Sequence, residues 1–224
     1  MRAGVLLSML LFALAAPAAG ATQLTAGAAS SVVLEGSSNV AAWRCRGTAV
    51  DARMLVAASA DHINEVIDRI EDGRIGVWMS SPSQGRFPEP EFDLTVAVTA
   101  IRCGNRVMES DMRRALKADR YPTVAFAFRA LRGGIQHDLD TGLYRASIAG
   151  DLTLAGVTRT IDLPVSAQRI SRRAFRIRAV LPLAMSDYGV TPPTALFGAI
   201  RARNNLTVTF DLILEIAAAP RGPS

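Results

Sequence analysis

Residues 150–165, GDLTLAGVTRTIDLPV, constrain the fold more than any other part of the chain. They read as two strands joined by a tight turn at Ala155-Gly156-Val157. In the first arm Leu152 and Leu154 share one side, and Asp151 and Thr153 the other. In the second arm Ile161, Leu163 and Val165 share a side against Thr160 and Asp162. This alternation is the period of an antiparallel sheet with one apolar and one wet face. It recurs in Val124, Phe126 and Phe128, in the odd positions from Phe175 to Leu183, and in the even positions from Leu206 to Leu214. Gly133-Gly134 and Asp140-Thr141-Gly142 are predicted turns between such runs.

Earlier segments continue the pattern. Residues 31–34, 40–46, 53–59 and 92–101 are predicted strands, the second with Ala41, Trp43 and Cys45 on one side and preceded by a turn at residues 36–39. The period changes over residues 61–72, where Ile63, Val66, Ile67 and Ile70 fall at helical spacing before Gly73. Residues 108–117 are a second predicted helix, with Ser110 or Asp111 near its start and Tyr121-Pro122 as its stop. The prolines of residues 80–90 predict a loop. Many short strands with regular turns predict an all-β chain: a single antiparallel β-barrel of about eight strands with one or two short helices. At that strand number the interior is either filled by side chains or holds one small ligand.

The N-terminus carries Arg2, an apolar run over residues 5–16 that is short for a bilayer span, and an A-x-A site at Ala19-Gly20-Ala21. Residues 1–21 are therefore expected to be a signal peptide cleaved after Ala21, which places the product in the periplasm. A flexible leader over residues 22–30, the barrel over 31–216 and a disordered tail over 217–224 complete the expected division. In an oxidising compartment the only two cysteines, Cys45 and Cys103, are expected to pair.

The formal net charge is +5, and nearly all of the basic residues are arginine. A basic exported protein meets anionic lipid headgroups first, so peripheral contact with an anionic membrane surface is expected. The arginines are spread over many strands without an aromatic-basic cluster, which argues against nucleic acid. A homodimer through exposed edges is compatible with this fold class.

No constellation for catalysis is apparent, and none for a metal. The two histidines, His62 and His137, are far apart in sequence. Asp61, His62 and Glu65 read as a solvated first helical turn rather than a zinc set. Asp138 and Asp140 lack the remaining ligands of a calcium loop and read as turn residues. No enzyme activity and no resident cofactor is expected.

The strings MRRALKADRYPTVAF (112–126), GDLTLAGVTRTIDLPV (150–165) and SDYGV (186–190), with AAWRC (41–45) after GSSN (36–39), resemble the YceI-like family of bacterial exported proteins over about residues 31–216. The resemblance implies a lipocalin-like barrel with an elongated apolar cavity that holds a long isoprenoid or quinone-like lipid, for sequestration, transport or storage. On that footing the expected cavity lining is Trp43, Phe126, Phe128, Leu152, Leu154, Phe175, Ile177, Leu181, Tyr188 and Phe210. Two alternatives stay open. Trp43 lines the cavity or plugs a filled, structural barrel. Tyr188 either meets a ligand headgroup at the mouth or bonds locally in a turn that closes the barrel.

Overall fold

The computed structural model describes residues 20–73 and 89–217. The expected signal peptide up to residue 19, the loop over residues 80–88 and the tail from residue 218 lie outside them. The strands are β1 (Thr22–Ala26), β2 (Ser31–Ser38), β3 (Ala42–Gly47), β4 (Val50–Val56), β5 (Glu91–Ala97), β6 (Ile101–Arg102), β7 (Thr123–Asp138), β8 (Leu143–Leu154), β9 (Val157–Ser171), β10 (Ala174–Ala184), β11 (Thr194–Ala195) and β12 (Ile200–Ile216). Helix α1 (Ala60–Glu71) lies between β4 and β5, and α2 (Arg106–Ala115) between β6 and β7.

Eight strands close on themselves in the order β1-β4-β5-β7-β8-β9-β10-β12, with β12 returning to β1, and every pair is antiparallel. The remaining long pieces extend this barrel. β2 continues β1 along the same flank of β12, β3 pairs with β2, and β6 pairs with β3. The break between β1 and β2 is stitched to β12 at one residue: Ile213 accepts from the Gly27 N–H at 2.7 Å, and its N–H donates to the Ser30 hydroxyl at 3.0 Å.

Several local expectations need correction. Residues 22–26 are not a loose leader but β1, the strand that closes the barrel. Leu24 is its only large apolar residue, so alternation could not mark it, and its pairing with β4 and β12 fixes it instead. Gly133-Gly134 is not a turn. β7 runs through it with a register irregularity between Arg132 and Gln136. β2 likewise runs through residues 36–38. The N-cap of α2 is Asn105, whose side chain accepts from the N–H groups of Val107 and Met108; Ser110 and Asp111 lie inside the helix.

The β8–β9 hairpin turns at Ala155 and Gly156, both with positive φ (51° and 83°), the geometry that matches the twist of the flanking strands. Gly156 is required there for a second reason. A Cβ would stand 2.3 Å from the ring of Tyr121. The tyrosine-proline stop and the A-G-V-T turn, distant in sequence, are thus one packing unit.

Cys45 and Cys103 form a disulfide, closing a separation of 58 residues. Glu109, buried in α2, accepts from the Cys103 N–H at 3.0 Å and faces Arg113 at 3.4 Å, which anchors the helix to the disulfide. No helix among the described residues is long and apolar enough to cross a membrane.

Candidate ligand-binding site

Register assigns each strand an inner face. On β10 Phe175, Ile177, Ala179, Leu181 and Leu183 point inward opposite Leu214, Leu212, Phe210, Val208 and Leu206 of β12. On β8 the even residues from Tyr144 to Leu154 point inward, opposite His137, Leu131, Phe128 and Phe126 of β7. Phe126, Phe128, Ile148, Leu152 and Leu154 form one continuous apolar cluster with the β10 and β12 residues and with Leu24, Ala52, Leu94 and Val96.

Burial along the inner faces is graded. On β8, Gly150, Leu152 and Leu154 are buried, whereas Ile148, Ala146 and Tyr144 remain partly accessible. On β10, Leu181 and Ala179 are buried and Ile177 and Phe175 are not. On β7 the change falls between Phe126 and Phe128, and on β9 between Leu163 and Val165. All four strands become accessible toward the end where α1 lies, and on β7, β9 and β10 the inward Val124, Ile161 and Leu183 beyond the buried stretch are partly accessible as well. β12 stays buried on its inner face from Val208 to Leu214, and Leu214 is 0% exposed. The interior is therefore packed across its middle and along β12 from Val208 to Leu214, and partly accessible near α1 along β7–β10.

Phe126 marks the boundary. Its ring lies over Gly150, where a Cβ would come within 2.1 Å of it, and it meets Phe92 at 6.3 Å between ring centroids. Glycine at position 150 makes the room that lets the ring lie across the barrel.

The ten expected lining residues all belong to the one cluster, but at three levels. Phe128, Phe175 and Ile177 face the accessible half. Phe126, Leu152, Leu154, Leu181 and Phe210 are buried beneath it. Trp43 and Tyr188 are at the far end. The Trp43 ring lies against Gly36, its partner across β2–β3. Tyr188 is buried in a single 3-10 turn, Met185–Tyr188. Burial, and secondarily the charge of Asp187, raises its phenol pKa against an opposing pull from Arg159.

The accessible end has a polar roof that periodicity did not single out. Ile63 and Ile67 of α1 pack on the core, and the helix presents Asn64, Asp68 and Glu71 to the strands. Arg169 occupies an inward position of β9, next to Phe175 in register, with its side chain only 18% exposed. It donates to Asp68 at 2.6 Å and also pairs with Glu71. Burial disfavours its charge, but the two carboxylates outweigh that and raise its pKa. Arg172 reaches the second oxygen of Asp68 at 2.8 Å. The Arg169 hydrogen bond is the main reason that the Asp68 pKa is lowered. Tyr144 donates to Glu71 at 3.2 Å, and burial, then the Glu71 charge, pushes its phenol well above its usual range.

His137 stacks on Tyr144 at 4.3 Å, and both of its ring nitrogens are buried without a partner. Asn64 uses its amide N–H groups on Ala60 and Arg172 carbonyls and keeps a buried, unpartnered oxygen.

Asp61, His62 and Glu65 lie on the exposed side of α1. Asp61 and Glu65, with Asp68, Arg69, Asp72 and Arg172, border a shallow polar depression that is open to solvent and unsuited to an apolar ligand. Asp138 accepts from the Asp140 and Thr141 N–H groups, as a turn residue does. Among the described residues no group of three or more histidine, cysteine or carboxylate side chains is placed to hold a metal ion.

Residues 43–214 match the family of YceI-like domains. No curated protein matches the chain. Among solved structures the chain is similar to BcnA of Burkholderia cenocepacia, with a TM-score of 0.56 at 15% identity over 84% of this chain and 98% of that one. It is also similar to a polyisoprenoid binding domain from Saccharophagus degradans implicated in plant cell wall breakdown, with a TM-score of 0.57 at 14% identity over 87% and 98% of the two chains. At such identity the likeness shows a shared fold.

Proposed function

This chain belongs to the YceI-like domain family, and on that premise we propose that it is an exported, non-catalytic barrel that holds a long isoprenoid or similar apolar chain. It sequesters, carries or stores this lipid in the periplasm after cleavage behind Ala21, where its basic surface meets anionic membrane. The observation that carries the reading is a group of inward apolar side chains near α1: Phe128, Ile148, Val165, Phe175 and Ile177, from four adjacent strands, stay partly accessible above a buried layer through Phe126, Leu152, Leu163 and Ala179. The apolar tail lies against Phe128, Ile148, Val165, Phe175 and Ile177, with Phe126 as the floor.

Magnitudes favour simple burial as the mechanism. Each methylene removed from water contributes about 0.8 kcal/mol, so about ten of them supply roughly 8 kcal/mol gross, near the binding energy of a micromolar complex before ordering costs. The polar end of the ligand lies at the roof formed by α1, Tyr144 and Arg169. Arg169 is already matched by Asp68 and Glu71, so an uncharged hydroxyl or carbonyl headgroup suits the roof better than a phosphate.

Native mass spectrometry of the purified protein, before and after delipidation and reloading with a long-chain polyprenol or an isoprenoid quinone, tests the proposal. A bound lipid is expected. Ala167→Trp, which fills an inward position beside Tyr144 in register, is expected to abolish uptake while leaving the circular dichroism spectrum intact. No lipid on the native protein and no uptake after delipidation would leave the structural-module reading, which the solid packing around Leu214 favours.

A further inference from the structure

The β11–β12 hairpin presents apolar side chains that the barrel does not use. At its tip Leu196 is 69% exposed and Phe197 fully so. Both have positive φ (48° and 55°), followed by Gly198 at 90°. Residues with a Cβ rarely adopt this left-handed region. The tip is nevertheless well tied. The Ala199 N–H donates to the Leu196 carbonyl at 3.1 Å, and the Arg201 Nε to the Gly198 carbonyl at 2.9 Å. From the β2–β3 turn, Asn39 donates its amide to the Ala199 carbonyl at 2.9 Å and accepts from the Arg201 N–H at 2.8 Å. The next residue of that turn, Val40, is also exposed. Two loops locked together thus hold three apolar side chains out into solvent.

The charge beside them is one-sided. Arg201 and Arg203 are exposed at the base of the hairpin, and among the described residues neither is in an ion pair. Many arginines of the barrel wall are matched, Arg176 and Arg178 by Asp211, Arg132 by Asp162 and Arg145 by Asp138, although Arg53 and Arg159 are in no ion pair among the described residues. An aromatic and aliphatic tip above unpaired arginines is the arrangement that a bilayer interface takes, the apolar groups entering the acyl boundary and the cations meeting anionic headgroups.

We infer that the β11–β12 tip, with the β2–β3 turn, is a docking surface for an anionic lipid bilayer: Phe197 and Leu196 insert, and Arg201 and Arg203 lie at the headgroups. The inference rests on the reading that the exported chain meets anionic membrane, and it names where. A second copy of the chain is a poorer occupant, because three side chains offer far less than the ~800 Å² per partner that a stable interface buries.

Flotation of the mature chain with vesicles of phosphatidylglycerol and phosphatidylcholine, and with phosphatidylcholine alone, tests it. The wild type is expected to bind the anionic vesicles, less so as salt rises. Phe197→Asp lowers this partition at least ~10-fold, and Arg201→Gln with Arg203→Gln lowers it about 10-fold on anionic vesicles only. Val180→Ser, at an exposed apolar position on the barrel wall, leaves it unchanged. Phe197→Trp gives blue-shifted emission on vesicles. If the wild type floats and Phe197→Asp floats equally well, the tip is not the docking surface, although membrane contact stands. If the wild type binds neither vesicle, membrane contact falls too. A dimer that Phe197→Asp dissociates, without vesicle binding, makes the tip a contact between copies and overturns the inference.

Discussion

Ile177 and Leu181 are isomeric side chains on the same face of the same strand, and the accessible interior runs between them. Leu181 is 8% exposed and lies opposite Val208, inside the packed half. Ile177 lies between Ala167 and Leu212 in register and remains partly accessible. Truncating a buried leucine loses its transfer energy and leaves a cavity the surroundings only partly refill, so Leu181→Ala is expected to cost about 3 kcal/mol. Ile177→Ala removes atoms that are already partly hydrated and opens no sealed void, so about 1 kcal/mol is expected. For a domain of this size 1 kcal/mol shifts the melting temperature by about 2–4 °C, which predicts losses of roughly 6–12 °C and 2–4 °C. The measurement is thermal unfolding of delipidated protein followed by circular dichroism. Reloading with lipid should then widen the deficit of Ile177→Ala, because the wild type gains a ligand contact that the variant lacks. Equal losses from the two truncations in the delipidated protein would mean that the interior near α1 is as tightly packed as the layer around Leu181, and the carrier reading would lose its physical basis.

Three further outcomes follow from the same geometry. Asp68, Asp138, Asp151 and Asp211 all have folded-state pKa values below the ordinary 3.8, chiefly through hydrogen bonds from Arg169, the Thr141 backbone, Arg129 and Arg176 respectively. Their contribution is therefore fully present above the ordinary carboxyl value and is lost as pH falls through the lowered folded values. Melting temperatures should hold through mildly acidic buffer and drop only below about pH 4. Replacing Cys45 and Cys103 together by alanine should destabilise by about 4 kcal/mol in denaturant titrations, given the loop their bond closes. Gly150→Val should cost about 1–3 kcal/mol, because the Phe126 ring and the Ala127 carbonyl, 2.8 Å from the new Cβ, leave it no space; an unchanged denaturation midpoint would refute that packing.

Period-two alternation made β8, β9, β10 and β12 legible, since each has several apolar residues on one side and polar ones on the other. The same rule failed at β1, where a single leucine carries no period and the partners are β4 and the last strand. It also failed at Gly133-Gly134, where a long curved strand accommodates an irregularity that reads locally as a turn. The disulfide was legible from compartment and count alone. The polar roof was not. Asp68, Glu71, Tyr144, His137 and Arg169 come from α1 and three strands, and a charged residue in an alternating run reads as solvated when its parity is left uncounted. Counting inward from Leu163 through Val165 and Ala167 would have placed Arg169 on the inner face.

The seam between the first and last strands carries a kinetic consequence. The Ser30 hydroxyl holds Ile213, 183 positions away, so the seam cannot form until almost the whole polypeptide is available. Until then β12 is missing and β1 has only β4 beside it, so the cylinder stays an open ribbon. Such delayed closure slows folding, because long-range contacts are made only after a large loop has been ordered.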